Sequence, residues 1–303
     1  MSRILITGAG GLLGQRVAPL CRRHFGSADV FMVYHHSLDY EPQRSANVAV
    51  GDLTDIRFIT ELIAHCRPDV IVNLAALTNV EACETSAALA QRVNVGIVEK
   101  LIELAPEAKV VQLSTDYVFD GAKGSYTPED TPAPISLYGQ TKYDAERVVT
   151  QNPRNLVVRT SGTYDWRGRD NLFTFFYNRL KADRETLALT GSYYTPIWAN
   201  DLAKGLLGLL ATDATGITHY AGVERMTRYD FALAIARHFN FDAGLICPVM
   251  QEKFNWKARR PVDSSLDSSG GYESSDVRPH SLDASLQLFG EQGGASPSTT
   301  VEA

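Results

Sequence analysis

Tyr138 and Lys142 stand four residues apart in Tyr138-Gly139-Gln140-Thr141-Lys142, at the start of a segment with helical spacing. Residues four apart share a helical face, so an ammonium sits beside a phenol. A free phenol ionises near pH 10; bringing it towards 7 takes about 4 kcal/mol, part of which a neighbouring cation supplies. Such a pair suits acid–base chemistry at a carbonyl if a second hydroxyl orients the carbonyl oxygen. Ser114-Thr115 closes the apolar run Lys109–Leu113 and offers one. Thr7-Gly8-Ala9-Gly10-Gly11-Leu12-Leu13-Gly14 supplies the third component. Gly8 makes a tight turn, Gly11 lets the backbone approach a pyrophosphate, and Gly14 allows a helix to pack closely on a strand, as dinucleotide binding requires.

These groups need elements that bring them together. Residues 3–7 form an apolar run, and Leu12, Leu13, Val17 and Leu20 follow at helical spacing. Strands are expected at Val30–Tyr34, Val48–Val50, Asp69–Leu74, Lys109–Leu113 and Asn155–Arg159, with helices over Asp55–Cys66, Ala87–Ala105 and Leu137–Val149. This alternation predicts an α/β fold with a doubly wound parallel (Rossmann) sheet. Its carboxyl ends face the ligand crevice, so the glycine turn, Thr115 and Tyr138 reach one space. Past Ser161 the order loosens into a helix (Asn171–Ala182), a strand (Thr186–Leu189), a helix (Ala199–Leu210), a strand (Ile217–Tyr220) and a helix (Tyr229–Phe239). The expected domains are a dinucleotide-binding domain over 1–161 and a smaller substrate-binding lobe over 162–266, partly interleaved with the sheet. Residues 267–303 are expected to be a Ser/Gly-rich, partly disordered C-terminal extension with a mobile tail, whose apolar island Leu282–Phe289 could dock as a helix.

The 303 residues suffice for about two domains. With 29 Lys and Arg against 35 Asp and Glu, the net charge of −6 argues against a nucleic-acid partner. The densest basic cluster, Lys257, Arg259 and Arg260, reads as a solvated turn. No apolar run approaches the roughly 18 residues of a membrane span, and the N-terminus lacks a leader pattern, so a cytoplasmic protein is expected. Cys21, Cys66, Cys83 and Cys247 are too scattered for a metal site or a disulfide framework. The second strand ends Val33-Tyr34-His35-His36 without the acid that would select NAD(H), which puts NADP(H) slightly ahead; His35 either borders a 2′-phosphate or is simply solvated. Asp52, after the third strand, either meets the adenine or heads the next helix.

Together the glycine turn, Ser114-Thr115 and the Tyr138/Lys142 pair resemble the extended short-chain dehydrogenase/reductases. The run Leu113-Ser114-Thr115-Asp116-Tyr117-Val118-Phe119-Asp120-Gly121, with Tyr126, Glu129, Pro132, Pro134 and Tyr138 through Glu146, is similar to dTDP-4-dehydrorhamnose reductases. So is Ala75 through Glu84, with weaker echoes in Tyr194-Thr195-Pro196, Asp201-Leu202-Ala203 and Arg260 through Leu266. The resemblance implies hydride transfer from NADP(H) or NAD(H) to the 4-keto group of a nucleotide-activated deoxysugar. It implies Tyr138 as proton donor, Lys142 as the cation that tunes it and holds the nicotinamide ribose, and Thr115 as the carbonyl-orienting hydroxyl, with Ser114 in reserve. Gly8, Gly11, Leu12, Leu13 and Gly14 would surround the pyrophosphate, and Asp52, Leu53, Ala76, Leu77 and Thr78 the adenosine side. Ser114, Thr115, Asp116 and Tyr117 would face the sugar, unless Asp116 caps a turn and Tyr117 packs.

One position departs from those reductases. They carry a tryptophan after the equivalent of Arg159-Thr160-Ser161, where this chain has Gly162. Two alternatives stay in view: an epimerase or dehydratase that uses the same residues and recycles its cofactor, and, favoured by the departure, a non-catalytic regulatory subunit like methionine adenosyltransferase beta. A homodimer without a bound metal is the expected assembly.

Overall fold

The apolar runs of the first 160 residues are strands of one sheet in the computed structural model, which describes residues 2–27, 29–35, 47–168 and 171–292. His36 and the C-terminal tail expected to be mobile lie outside the described residues. The seven strands are β1 (Ile4–Thr7), β2 (Val30–Tyr34), β3 (Val48–Val50), β4 (Val70–Asn73), β5 (Lys109–Thr115), β6 (Leu156–Thr160) and β11 (Gly216–His219). Their order is β3-β2-β1-β4-β5-β6-β11, and every pairing is parallel. Chain order reverses between β1 and β4, where a doubly wound sheet opens its crevice.

Helices α1 (Gly14–Phe25) and α8 (Ala199–Ala211) cover one face of the sheet; α2 (Ile56–Cys66), α5 (Ile97–Leu104) and α6 (Leu137–Val149) cover the other. The expected helix over Ala87–Ala105 is α4 (Ala87–Gln91) joined to α5 through one π-helical turn, Arg92–Gly96, with α3 (Val80–Thr85) preceding it.

Beyond β6, strands β7 (Thr163–Tyr164) and β10 (Ile197–Trp198) pair in parallel, as do β8 (Thr186–Leu189) and β13 (Ile246–Val249). Strand β9 (Tyr193–Tyr194) pairs antiparallel with β12 (Met226–Thr227). Between them lie α7 (Leu172–Lys181) and α9 (Arg228–Phe239), which share an aromatic core with Tyr164, Trp198 and Phe231.

Residues 267–292 belong to the packed structure, so the boundary at 266 marks a change in composition more than an edge of the fold. Helix α10 (Ser269–Ser275) lies against α8 and β11, where a Cβ on Gly271 would stand 2.0 Å from the His219 carbonyl oxygen. The small residues there permit close packing. Helix α11 (Leu282–Gln292) inserts Leu286 and Phe289 into the lobe's core, the docking anticipated for the apolar island.

A buried ionic network joins α6 to β5, β6 and β11. Arg159 on β6 donates to Glu146 on α6 through Nε (3.0 Å) and Nη2 (2.8 Å), with both side chains at most 2% exposed. His219 closes the network, its Nε2 3.4 Å from Arg159 Nη1 and its Nδ1 3.0 Å from the Tyr126 carbonyl. Burial, with the adjacent guanidinium, pushes the His219 pKa down from 6.5 to about 4, so the folded state holds it neutral. Its contribution to stability is therefore complete above pH 6.5 and is lost as pH falls towards 4, about 3 kcal/mol in all. Urea unfolding should accordingly show His219→Gln losing less stability than the wild type between those limits. An equal loss would place the acid sensitivity elsewhere.

Candidate active site

Helix α6 begins at Ser136, whose hydroxyl accepts from the Gly139 N–H at 3.2 Å. This cap sets Tyr138 in the first turn and Lys142 one turn later, both buried. The Tyr138 ring meets Tyr117 edge-on at 5.8 Å and clusters with Cys83 and Ala90. Its hydroxyl lies near enough to the Thr115 side chain to be influenced by it, so the proposed acid and the carbonyl-orienting hydroxyl are brought together. Lys142 Nζ donates to the Leu113 carbonyl at 2.7 Å.

The electrostatics differ from the sequence expectation. Burial drives the Tyr138 phenol well above its ordinary pKa, and the Asp116 charge adds to this; the Thr115 side chain only partly offsets them. Burial also pulls the Lys142 ammonium down to about 8, against the opposing pull of Glu146. Desolvation thus sets the direction of the shift, and Lys142 is not among the groups that lower the phenol. For a group that must deliver a proton, the outcome is favourable: the phenol stays protonated until a stronger base forms beside it.

Strand alternation separates the two hydroxyls at the end of β5. Thr115 faces Tyr138, whereas Ser114 points to the other side and donates to Glu146. The assignment of Ser114 to the sugar, and its reserve role, are therefore corrected: it ties the strand end to the buried ion pair. Asn94, in the π-helical turn, was missed by the sequence reading. Buried at 1% exposure, it accepts from the Leu77 N–H at 2.8 Å and donates to Thr141 Oγ1 on α6 at 2.9 Å. It thereby couples the Ala76–Thr78 loop to the helix carrying Tyr138. A π-bulge inside a long helix is the one relevant signal, and its apolar periodicity does not reveal it.

The glycine turn lies at the carboxyl end of β1. A Cβ on Gly14 would stand 2.3 Å from the Gly8 carbonyl oxygen, so the helix can begin this close to the strand only with glycine there. Helices α2, α6, α7 and α9 are capped by the side chains of Asp55, Ser136, Asn171 and Thr227, whereas α1 begins at Leu13 with no side-chain cap and no acid in its first turn. An uncapped helix start beside a glycine turn fits the diphosphate of a dinucleotide. Gly8, Gly11, Leu12 and Leu13 would hold it, with Ala76, Leu77 and Thr78 along the neighbouring strand end. Asp52 accepts the Thr54 N–H at 2.8 Å, which helps hold its carboxyl low, and lies 3.9 Å from His35 Nε2. Asp55, not Asp52, is the cap of α2, which removes the helix-heading reading of Asp52. Leu53 is buried in the core, so its side chain supports the adenosine side from beneath.

Next to Tyr117 and Asp116 opens a cleft of about 1270 Å³ between the sheet and the lobe. One wall stacks Phe254 on Trp256 at 4.6 Å, with the Arg260 guanidinium 4.0 Å over the indole. Arg260 also reaches Tyr117 Oη and Glu81, each at 3.4 Å. The reading of Arg260 as part of a solvated turn is corrected accordingly: Lys257 and Arg259 are exposed, but Arg260 lines the cleft. Arg228, which heads α9, lines it too. Pairing a base-sized aromatic wall with guanidinium groups suits a nucleoside phosphate.

Gly162 has φ +45°, and a Cβ there would stand 2.4 Å from the Tyr194 ring. The place of the expected tryptophan is thus bordered by a phenol from β9. Trp198 is buried in the lobe's core and Trp166 packs against it, so neither takes over that position.

The RmlD substrate binding domain family matches residues 1–292. A dTDP-4-dehydrorhamnose reductase of Aggregatibacter actinomycetemcomitans is 30% identical over 95% of this chain and 98% of its own. Methionine adenosyltransferase 2 subunit beta of Rattus norvegicus is also 30% identical, over 88% of this chain and 80% of its own. Among solved structures, a hypothetical dTDP-4-dehydrorhamnose reductase from Sulfolobus tokodaii is 37% identical, covering 93% of this chain and 98% of that one with a TM-score of 0.80.

Proposed function

The chain belongs to the RmlD substrate binding domain family, and from that premise we propose that it reduces the 4-keto group of a nucleotide-activated 6-deoxysugar with NADP(H) or NAD(H). The observation that carries this reading is the juxtaposition of Tyr138 and Thr115 at the sheet end that also bears the uncapped glycine turn, with an aromatic and cationic cleft beside it.

The dinucleotide supplies a hydride to the keto carbon when bound. Tyr138 then gives its phenolic proton to the developing alkoxide while Thr115 stabilises the same oxygen by hydrogen bonding. Lys142, charged below about pH 8, provides a cation for the ribose and for the phenolate left behind. The stack of Phe254 and Trp256 would accept the nucleobase, and Arg260 and Arg228 the diphosphate.

Two observations keep the regulatory-subunit reading alive: the Gly162 departure and the similarity to the rat beta subunit. The test mixes purified protein, NADPH or NADH, and a panel of dTDP-4-keto-6-deoxysugars, and follows reduced-nicotinamide absorbance together with product. Stoichiometric loss of absorbance supports a reductase. Sugar conversion with no net loss supports an epimerase or dehydratase. No conversion of any sugar, with capture of a methionine adenosyltransferase catalytic chain, supports the regulatory reading.

A further inference from the structure

We propose that Asp116 is a positioning residue that works as a neutral carboxylic acid, donating its O–H to Thr115 Oγ1 and so freeing the single Thr115 hydroxyl proton for the keto oxygen. This rests on the reductase reading above. Asp116 is only 4% exposed, and three hydroxyls converge on it from separate parts of the chain. Oδ2 accepts from Ser161, at the end of β6, and from Ser264, on the segment after Arg260; Oδ1 lies 3.1 Å from Thr115 Oγ1.

The argument is one of counting protons. A hydroxyl has one proton to give, and a keto oxygen or a carboxylate can only accept. With Asp116 ionised, its Oδ1 competes with the substrate for the Thr115 proton. With Oδ1 protonated, the direction of that hydrogen bond reverses. Thr115 then accepts from Asp116 and donates to the ketone beside Tyr138, while Ser161 and Ser264 still donate to Oδ2. Asp116 keeps its own proton throughout, so the proton delivered to product still comes from Tyr138.

Burial also raises the Asp116 carboxyl above the usual carboxylate range despite its three hydroxyl partners. The ionisable groups near it include Tyr138 and Tyr194, whose ionisation its charge opposes, and Tyr117 beside it in the chain. The cations Arg228 and Arg260 line the same cleft, and Lys142 is turned to the Leu113 carbonyl.

The test compares the pH dependence of kcat for the full-length wild type, Asp116→Asn, Asp116→Ala and Ser264→Ala. The amide of Asp116→Asn is a permanent donor to Thr115, so this variant should keep the wild-type acid-side plateau within about fivefold and lose the limb that Asp116 sets, while the separate limb of Lys142 remains. Asp116→Ala should fall about a hundredfold. Ser264→Ala removes a donor to the charged form and should move the limb to higher pH. Infrared difference spectra of wild type against Asp116→Asn should show a carboxylic C=O band that titrates with the limb's midpoint. An Asp116→Asn variant that is folded but as inactive as Asp116→Ala at every pH would overturn the proposal. So would an unmoved limb in Ser264→Ala, should Asp116→Asn fail to fold. If the wild type reduces no keto sugar, the function reading fails, and the infrared titration alone decides: a carboxyl ionised throughout overturns the proposal and a titrating acid band supports it.

Discussion

Replacing Tyr138 by phenylalanine is expected to lower kcat by about 10²- to 10⁴-fold, the usual contribution of a positioned general acid. The ring would remain, with its edge-on contact to Tyr117 and its packing on Cys83 and Ala90. Only the hydroxyl that faces Thr115 is lost, so the melting temperature should change little and dinucleotide affinity should be retained. The pH profile distinguishes this group from Lys142. Because burial holds the phenol far above neutrality, Tyr138 should set no limb in the accessible range, whereas Lys142 should set an alkaline one near 8 in the dinucleotide-free protein. Single-turnover measurement with bound NADPH separates the proton-coupled step from product release. Turnover equal to wild type would show that the proton comes from another donor.

Much of this site is readable from the chain because its parts are local. The glycine turn, the residues ending β5 and the Tyr138–Lys142 turn each lie within a few residues and carry their own structural context. Period-two and period-3.6 patterns place the strands and helices that bear them. What eluded the sequence is contact between distant residues. Ser114 and Thr115 look equivalent until strand alternation and Glu146, 32 residues away, separate them. Arg260 sits among exposed Lys257 and Arg259, and only the fold of its segment over Trp256 gives it a role. Ser161 and Ser264 are ordinary serines until both meet Asp116. The sign of the Tyr138 shift also depends on burial, which a helical spacing of four cannot report.

The second large effect concerns the ion pair beneath the site. Arg159→Met is expected to destabilise the fold by about 3–5 kcal/mol, because it leaves the Glu146 carboxylate buried beside Ser114 without its cation. It also removes the guanidinium stacked 5.1 Å from the Phe119 ring. Since a buried pair replaced whole is often near neutral, Glu146→Leu combined with Arg159→Met should cost less than the sum of the single changes. Urea unfolding of the four proteins in the cycle gives the coupling directly, and additive losses would refute it. The pair also acts on function, for Glu146 is the group that raises the Lys142 pKa against burial. In Glu146→Gln the ammonium should lose its proton at a lower pH, moving the alkaline limb down and weakening dinucleotide binding at neutral pH. A limb that stays near 8 in a folded, dinucleotide-free Glu146→Gln protein would show that Glu146 does not hold the charge on Lys142. The buried pair thus links stability to the charge of the site: the same carboxylate anchors Ser114 at the end of β5 and keeps the neighbouring lysine a cation.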